Sequence, residues 1–476
     1  MMRSVLYCSV GLMLLVGALV GCSVKGTPHP DQLTYSPLEF QLPEVDQLTL
    51  SNGIRLYLKE DHELPLVQVT ALVGSGELAS DPAQKGFDDL FAATLRTGGT
   101  ATWSPDAFEE HVDQLAIDLG AQMGPYFTQL DLSLRADNLA QGFELLTELL
   151  RRPQFAVDRL ELQRLQALER VRRQNDNPGS IARRLLVEAI YPDHPLGLSP
   201  TLESLAAVSR DDLVAYHSTY FAPNNLWLAI SGDFDRDQLL NLAEASFGDW
   251  MPRQVPEQII PEVTPADRGQ VQYVRRDIPQ TTLLIGDLGL TKDDPDQYAA
   301  IVLNYILGGG SFNSRLMREI RSDRGLAYSV YSYFQVGRRL PGSFVAGTET
   351  KNESVVEALD LMRSIMADLC DQPVTSAELD LAKDSLINSF VFGFDDTHAV
   401  VTQQVRLDFF DYPQDYLNRY RSRIAEVTIE DVQRVAKKFI RPAHQQVVLI
   451  GNTEPYLGRL EQFGLPIVER KVDIDH

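Results

Sequence analysis

The sequence predicts an α+β fold made of two similar halves, each a mainly antiparallel sheet with helices packed on one side. Two observations predict it. A segment that combines a capped helix, a proline and an apolar strand occurs at residues 208–232 and again, without a gap, at residues 427–451. The predicted strands also group into hairpins with helical stretches between them, which is typical of α+β sheets rather than of a doubly wound fold.

Length and composition limit the classes of protein. The 476 residues allow about two to four domains, and 44% hydrophobic with 23% charged residues is typical of an ordinary globular protein. This excludes collagen-like, largely disordered and polytopic membrane proteins. The formal net charge of −23 disfavours nucleic acid as a partner, because phosphates would be repelled.

The first segment, residues 1–21, is predicted to be a lipoprotein signal peptide. Arg3 precedes an apolar stretch that is too short to span a bilayer comfortably. The stretch ends in Leu19-Val20-Gly21-Cys22, which resembles the bacterial lipobox, so Cys22 is the expected lipidation site. An ordinary cleaved signal or an anchor helix is the alternative. Ser23 is typical of lipoproteins sent to the outer membrane, which predicts an anchor facing the periplasm of a Gram-negative bacterium.

The three cysteines cannot form a disulfide framework. Cys8 would be removed with the signal peptide and Cys22 would carry lipid, so Cys370 would remain alone. Residues 22–45 contain four prolines and little periodicity, and they are predicted to be an extended tether.

The repeated segment predicts the same supersecondary unit in each half. Ser209 and Thr428 are expected to cap helices whose first turns contain acidic residues, which the helix dipole favours. A proline then ends each helix before a buried strand. The identical pairs are Val208/Val427, Asp212/Asp431, Pro223/Pro442 and Gly232/Gly451. Chance recurrence is the alternative, but agreement in register favours two related domains, residues 46–258 and 259–476.

Residue patterns place the other elements in chain order. Asn52-Gly53, between apolar segments at 48–50 and 54–58, predicts a hairpin because this pair readily adopts positive φ. Further strands are predicted at 67–73, 127–134, 270–276, 281–288, 328–334 and 342–348. Helices are predicted at 86–95, 105–119, 138–151, 158–174, 180–190, 296–307, 352–369 and 375–391.

Several of these segments resemble the pitrilysin/insulinase family of zinc metallopeptidases, in particular its bacterial two-domain class. Residues 50–56, 86–100 and 192–197 are similar to the first half of that family. The second half is more similar, at Leu-Gly-Gly-Gly-Ser-Phe-Asn-Ser-Arg-Leu (307–316) and at residues 320–329. The resemblance covers nearly the whole mature chain, and it implies peptide substrates.

The resemblance also implies where zinc ligands would lie, and these are missing. Family enzymes carry His-x-x-Glu-His, in which two histidines one turn apart bind zinc and the glutamate accepts a proton from the metal-bound water. Asp89, Ala92 and Ala93 stand at these positions, and the third ligand position falls at Glu169 or Arg170. The motif and its inverse occur nowhere else in the sequence. The chain is therefore predicted to hold no metal and to be inactive as a peptidase by itself.

Arg321 and Tyr328 match a second catalytic feature of the family. The resemblance implies that this arginine and tyrosine hold the substrate carbonyl and stabilise the oxyanion opposite the zinc. Both are hydrogen-bond donors at neutral pH, as that task requires. The alternative is an arginine on a solvated helix face and a tyrosine packed at a strand start. The family parallel also makes Gly308, Gly309 and Gly310 a flexible substrate-binding loop; the alternative is a helix C-cap and hinge.

These features together predict the non-catalytic subunit of a heterodimeric zinc metallopeptidase. A zinc-bearing homologue would supply the metal, and this chain would supply Arg321 and Tyr328 in trans. Unfolded peptides would bind as an added strand on a sheet edge. The alternative function is a lipid-anchored scaffold or peptide-binding protein of the same fold without enzymatic activity.

Overall fold

The computed structural model describes residues 40–472. The predicted signal peptide (1–21), the lipidation site Cys22 and most of the predicted tether lie outside these residues. Across residues 40–472, every helix is too short or too polar to cross a lipid bilayer.

The first half contains a six-stranded sheet. Its strands lie in the spatial order β1 (Asp46–Thr49), β2 (Arg55–Glu60), β6 (Leu226–Gly232), β3 (Leu66–Val73), β5 (Thr128–Arg135) and β4 (Asp118–Met123). Neighbours are antiparallel except for β2 and β6. The predicted turn joins β1 to β2, and its Gly53 has φ +96°, which side chains rarely tolerate.

The second half contains a sheet of the same design. Its strands lie in the order β12 (Ile467–Glu469), β7 (Gln270–Arg275), β11 (Gln446–Gly451), β8 (Gln280–Leu288), β10 (Ser343–Lys351) and β9 (Ala327–Phe334). β11 runs parallel to β7 and antiparallel to β8, as β6 does with β2 and β3. The predicted fold class, two similar α+β halves, is confirmed. The outermost strand differs, because β1 comes from a hairpin and β12 from the C-terminal segment.

Helices follow the predicted positions with a few differences. Those of the described residues are α1 (Phe87–Thr97), α2 (Pro105–Gln114), α3 (Leu139–Arg151), α4 (Val157–Arg172), α5 (Pro178–Ile190), α6 (Leu202–Ala207), α7 (Arg210–Tyr220), α8 (Arg236–Phe247), α9 (Gln297–Asn304), α10 (Val355–Asp371), α11 (Ser376–Ser389), α12 (Thr397–Phe409), α13 (Tyr416–Glu426) and α14 (Ile429–Phe439). Both repeated helices, α7 and α14, begin with the predicted cap. Ser209 and Asp212 form a reciprocal capping box, and so do Thr428 and Asp431.

The predicted helix at 105–119 is wrong at its C-terminal end. α2 stops at Gln114, and Ala116 adopts φ +51°, which reverses the chain into β4. Strand β4 was not predicted because its apolar residues are few and partly exposed. Helices α6, α8, α12 and α13 and strand β12 were not predicted either.

Each sheet packs one face against helices of its own half and the other face against a helix of the opposite half. α5, from the first half, packs on β8 and β11, and α12, from the second half, packs on β2 and β6. The α5 contact buries Ile181, Leu185, Leu186 and Ile190 against Leu284, Val345, Val448 and Ile450. The α12 contact buries Val401, Val405 and Phe409 against Tyr57, Leu72 and Ala229. The halves therefore exchange helices and complete each other's cores.

A buried histidine of α7 makes stability depend on pH. His217 packs against Phe155 and Phe221, its Nε2 lies 3.0 Å from the Leu150 carbonyl oxygen, and burial lowers its pKa to about 4. Since the unfolded chain protonates near the ordinary pKa of about 6.5 and the folded chain does not, this histidine should cost stability as the pH falls from 6.5 to 4. The expected loss is roughly 2–3 kcal/mol.

Urea unfolding of the wild type and of His217→Gln at pH 7 and pH 4.5 measures this effect. The variant should lose less free energy of unfolding than the wild type over that interval. Equal losses in the two proteins would contradict the assignment to His217.

Candidate functional site

The degenerate zinc positions lie on α1 and face α4. Helix α1 begins after Gly86, and Asp89 is on its exposed side. The guanidinium of Arg170, near the end of α4, donates a hydrogen bond of 3.2 Å to Asp89 Oδ2. The neighbouring Glu169 instead lies 3.7 Å from Arg172. Of the two residues that the sequence left open for the third ligand position, Arg170 is the one opposite Asp89.

The side chains at this place do not fit a zinc ion. Ala92 and Ala93 have no donor atom, and Arg170 brings a cation to the position where a third ligand would be needed. Within residues 40–472, no group of three His, Cys, Asp or Glu side chains is arranged to hold a metal ion. Both members of the Asp89–Arg170 pair are more than half exposed, so the pair adds little to stability.

A second carboxyl group beside this pair is electrostatically unusual. Asp88 is partly buried next to Asp89, and burial, reinforced by the carboxylates of Glu77 and Asp89, raises the pKa of Asp88 to about 7. Glu77 itself forms an ion pair with Lys85. Because a metal must displace the proton of a ligand, a carboxyl group that is half-protonated at neutral pH is a poor anchor for a cation.

Restoring zinc-binding side chains at the degenerate positions tests whether Arg170 occupies the third ligand position. The triple variant Asp89→His, Ala93→His and Arg170→Glu should bind one zinc ion per chain, because it restores two histidines one turn apart and a facing carboxylate. Zinc content after dialysis measures it. The double variant that keeps Arg170 is the matched control and should bind at least tenfold more weakly. Equal zinc content in the two variants would contradict the facing position of Arg170.

Arg321 lies in a π-helical segment, Met317–Asp323, which a three-residue turn joins to β9. Its guanidinium stacks between two aromatic rings, 4.7 Å from the ring centre of Phe312 and 4.5 Å from that of Tyr328. Both rings are largely exposed, at 62% and 83%. Among the described residues the guanidinium has no hydrogen-bond or ion-pair partner. Its N–H groups are therefore oriented by the rings and free to meet an acceptor.

A β-bulge turns Tyr328 towards this arginine. Along the β9–β10 pairing, Val330 is opposite Thr348 and Ala327 is opposite Thr350, so β9 contains one residue more than β10 between these pairs. The bulge at Tyr328 and Ser329 breaks the alternation of the strand and leaves Tyr328 exposed. The alternative of a tyrosine packed into the core at the strand start is therefore wrong, and the arginine is stacked rather than freely solvated.

Gly308, Gly309 and Gly310 lie at a π-helical turn, Tyr305–Gly309, that follows α9. Gly308 is buried against β9, and a Cβ atom there would lie 2.5 Å from both the nitrogen and Oγ of Ser332. Gly310 is also buried, under Tyr305, and Gly309 is exposed. Close approach to the strand that bears Tyr328 thus explains Gly308, while substrate contact by the three glycines stays a prediction.

Phe312 is the member of the site that the sequence did not single out. It lies two residues after the glycine run, and the intervening Ser311 adopts φ +51°, next to the outward-pointing aromatic ring. A large apolar residue after three glycines was the available signal, but the sequence alone did not indicate its contact with Arg321.

Two family models match consecutive parts of this chain, and the boundary between them, at residues 202–207, lies inside the first half. A family model described as insulinase (peptidase family M16) matches residues 55–202, and one described as peptidase M16 inactive domain matches residues 207–386. An uncharacterized zinc protease of Mycobacterium leprae is 25% identical over 419 residues, which cover 85% of this chain and 91% of that protein. The non-peptidase homolog YmxG of Helicobacter pylori is 26% identical over 382 residues, 79% of this chain and 83% of that protein.

Comparison with solved structures supports the same family. A peptidase M16 inactive domain from Pseudomonas fluorescens superposes with a TM-score of 0.77 at 26% identity, covering 86% of this chain and 98% of that one. A protease from Helicobacter pylori has the same fold, with a TM-score of 0.75 at 19% identity over 86% of this chain and all of that one. The chain belongs to peptidase family M16, the pitrilysin/insulinase family.

Proposed function

We propose that this chain is the non-catalytic subunit of a heterodimeric M16 peptidase that degrades or processes peptides. A zinc-bearing homologue would hold the metal, and this chain would supply Arg321 and Tyr328 to the substrate. The observation that carries the proposal is the partly buried guanidinium of Arg321, which lies over the Tyr328 ring and has no hydrogen-bond or ion-pair partner within residues 40–472, together with a degenerate zinc position in the same chain. The inactive-domain description of the family model supports it.

The geometry suits stabilisation of a developing negative charge. Contacts with two rings restrict the Arg321 guanidinium, so its N–H groups can donate to an acceptor with a smaller loss of rotational freedom. The hydroxyl of Tyr328 is a second donor on the same surface. In the proposed complex both groups donate hydrogen bonds to the carbonyl oxygen of the scissile peptide bond, and both bonds strengthen as that oxygen gains charge.

The substrate would bind along β9. Within residues 40–472 this strand is the outer strand of its sheet and pairs with β10 alone, so its second edge has no strand partner among these residues. An extended peptide can add to such an edge through main-chain hydrogen bonds, which recognise any sequence. Tyr328 is close to one end of that edge, which would bring a bound carbonyl near the Arg321 guanidinium.

Phe312 is a positioning residue in this scheme. In the assembled peptidase, Phe312→Leu should lower kcat about fivefold to tenfold with little change in KM, because Arg321 loses one stacking partner of about 1 kcal/mol. Phe312→Tyr should restore kcat, since it keeps the ring. A purely structural role would instead lower both variants together or change only the thermal midpoint.

Co-purification and cleavage test the proposal. The tagged full-length chain is isolated from native membranes, and a zinc-bearing M16 homologue of similar size is expected in a 1:1 complex that cleaves an unfolded peptide. Chelation should abolish cleavage by the complex, and the single chain should be inactive. Peptide binding without any cleavage by the complex would favour a scaffold or peptide-binding function, and tightly bound zinc in the single chain would refute the assignment.

We also propose that the mature chain is attached to the outer membrane, facing the periplasm, through lipid on Cys22. The lipobox-like sequence that ends at this residue supports the attachment. Mass spectrometry of the mature N-terminus should find a lipidated cysteine, and Cys22→Ala should release the protein into the soluble periplasmic fraction. An unmodified N-terminus at another residue would contradict it.

A further inference from the structure

A polar cavity of about 390 Å³ lies next to Tyr328, on the face of the second sheet that α5 covers. Its floor is formed by β8, β9 and β10, and its rim by the first turns of α5. Tyr328 belongs both to the cavity wall and to the stacked pair with Arg321. A peptide held at Arg321 would therefore have a neighbouring side chain or its terminus at the mouth of this cavity.

Two charged groups line the cavity without neutralising each other. Arg183 projects from α5, and within residues 40–472 its guanidinium has no hydrogen-bond or ion-pair partner. Glu349 lies on β10, where it accepts one long hydrogen bond, 3.4 Å, from the Thr282 hydroxyl. Since no ion pair joins them, each remains available to a ligand.

Two tyrosines of β9 lie near Arg183. Arg183 is close enough to Tyr331, which lines the cavity, and to Tyr333, which does not, to affect both phenols electrostatically, and burial raises the pKa of each. A phenol is protonated at neutral pH in any case, so the Tyr331 hydroxyl can donate a hydrogen bond to a ligand. The ring of Tyr331 lies across Gly347, where a Cβ atom would be only 2.8 Å from its hydroxyl oxygen. The absence of a side chain at Gly347 thus leaves room for the Tyr331 ring in this position.

We propose that this cavity binds a carboxylate group of the substrate peptide, with the guanidinium of Arg183 and the hydroxyl of Tyr331 as its donors. The carboxylate belongs to an acidic side chain or to the C-terminus of the peptide. Glu349, on the opposite wall, disfavours a second negative charge. This inference rests on the proposed function for the presence of a peptide at Arg321, but it concerns preference among peptides rather than cleavage.

Binding to the full-length chain at low ionic strength tests it, with four fluorescein-labelled peptides of one neutral sequence. Three are C-terminally amidated and contain Glu, Gln or Lys at one position, and the fourth is the Gln peptide with a free C-terminus. The Glu peptide, the free-acid peptide or both should bind about tenfold more tightly than the amidated Gln peptide. Which of the two is preferred identifies the source of the carboxylate.

Substitutions of single residues show which side chains cause the preference for a carboxylate. Arg183→Met should remove it while leaving the affinity for the amidated Gln peptide unchanged, and Arg183→Lys should keep part of it because the charge remains. Glu349→Gln should strengthen it by removing a like charge. Arg268→Met, at an exposed arginine that lines a different cleft, is the matched control and should change nothing.

Two results would overturn the proposal. One is equal affinity for all four peptides. The other is tightest binding of the Lys peptide with loss of that preference in Glu349→Gln, which would make the cavity a cation site. Failure of the cavity proposal can be distinguished from failure of the proposed function. An Arg321-dependent peptidase without any carboxylate preference would refute only the cavity assignment. A carboxylate preference without a complex that cleaves peptides would refute only the peptidase function.

Discussion

Replacing Arg321 with alanine in the proposed heterodimeric peptidase is expected to lower kcat by about 10²–10³-fold, with a much smaller change in KM. Removing one preorganised donor to an oxyanion typically has an effect of this size, because the lost hydrogen bond is strongest in the transition state. Steady-state hydrolysis of a quenched fluorescent peptide by the complex measures it. Arg321→Lys should recover little activity, since an ammonium group cannot stack between Phe312 and Tyr328 as a planar guanidinium does.

A neighbouring arginine provides the matched control. Arg324 is exposed, and its guanidinium donates a hydrogen bond of 2.8 Å to Glu319, so Arg324→Ala should leave kcat within about twofold. Tyr328→Phe separates the two parts of the site, because it keeps the stacked ring and removes the second donor. Unchanged turnover of Arg321→Ala in an active complex would show that the guanidinium does not touch the reacting carbonyl.

Truncating Phe409 to alanine is expected to destabilise the whole chain by about 3–5 kcal/mol. The side chain is 6% exposed at the end of α12, and its ring contacts Phe127 and Trp227 of the first half edge-to-face, at 5.6 Å and 5.1 Å. Losing it opens a cavity between a helix of the second half and the sheet of the first. Urea unfolding followed by intrinsic fluorescence should show a lower midpoint in a single transition for both halves.

Phe392→Ala is the control for this measurement. That phenylalanine is 71% exposed, so its truncation should change the free energy of unfolding by less than about 1 kcal/mol. Two separate transitions in Phe409→Ala, with the second half unaffected, would contradict mutual support of the halves through the exchanged helices.

Local signals in the sequence were sufficient for most of the fold. The cap residues Ser209 and Thr428, the Asn52-Gly53 turn and the apolar alternation of the strands act within a few residues, so each predicted its element correctly. The boundary of α2 was missed because Ala116 adopts positive φ, which its residue type does not indicate.

The sequence predicted the site residues that belong to a family motif. It did not predict the contacts between residues that are far apart in the sequence. Arg321 and Tyr328 were identified from the motif, but their stacking depends on a bulge that only the pairing of β9 with β10 defines. The contact of Arg170 with Asp89 joins residues on two helices and depends on helix packing, so one sequence could not choose between Glu169 and Arg170. The same applies to Arg183, which reaches the second sheet from the first half.

The exchange of α5 and α12 constrains how a long peptide could enter a two-chain peptidase. Drawing the two halves of this chain apart would uncover apolar surface on both sheets at once, at roughly 1.5–3 kcal/mol for each large side chain exposed. Hinge motion that separates the two halves of this chain is therefore costly. In the proposed heterodimer we expect the substrate to enter by relative movement of the two subunits, with this chain moving as one body.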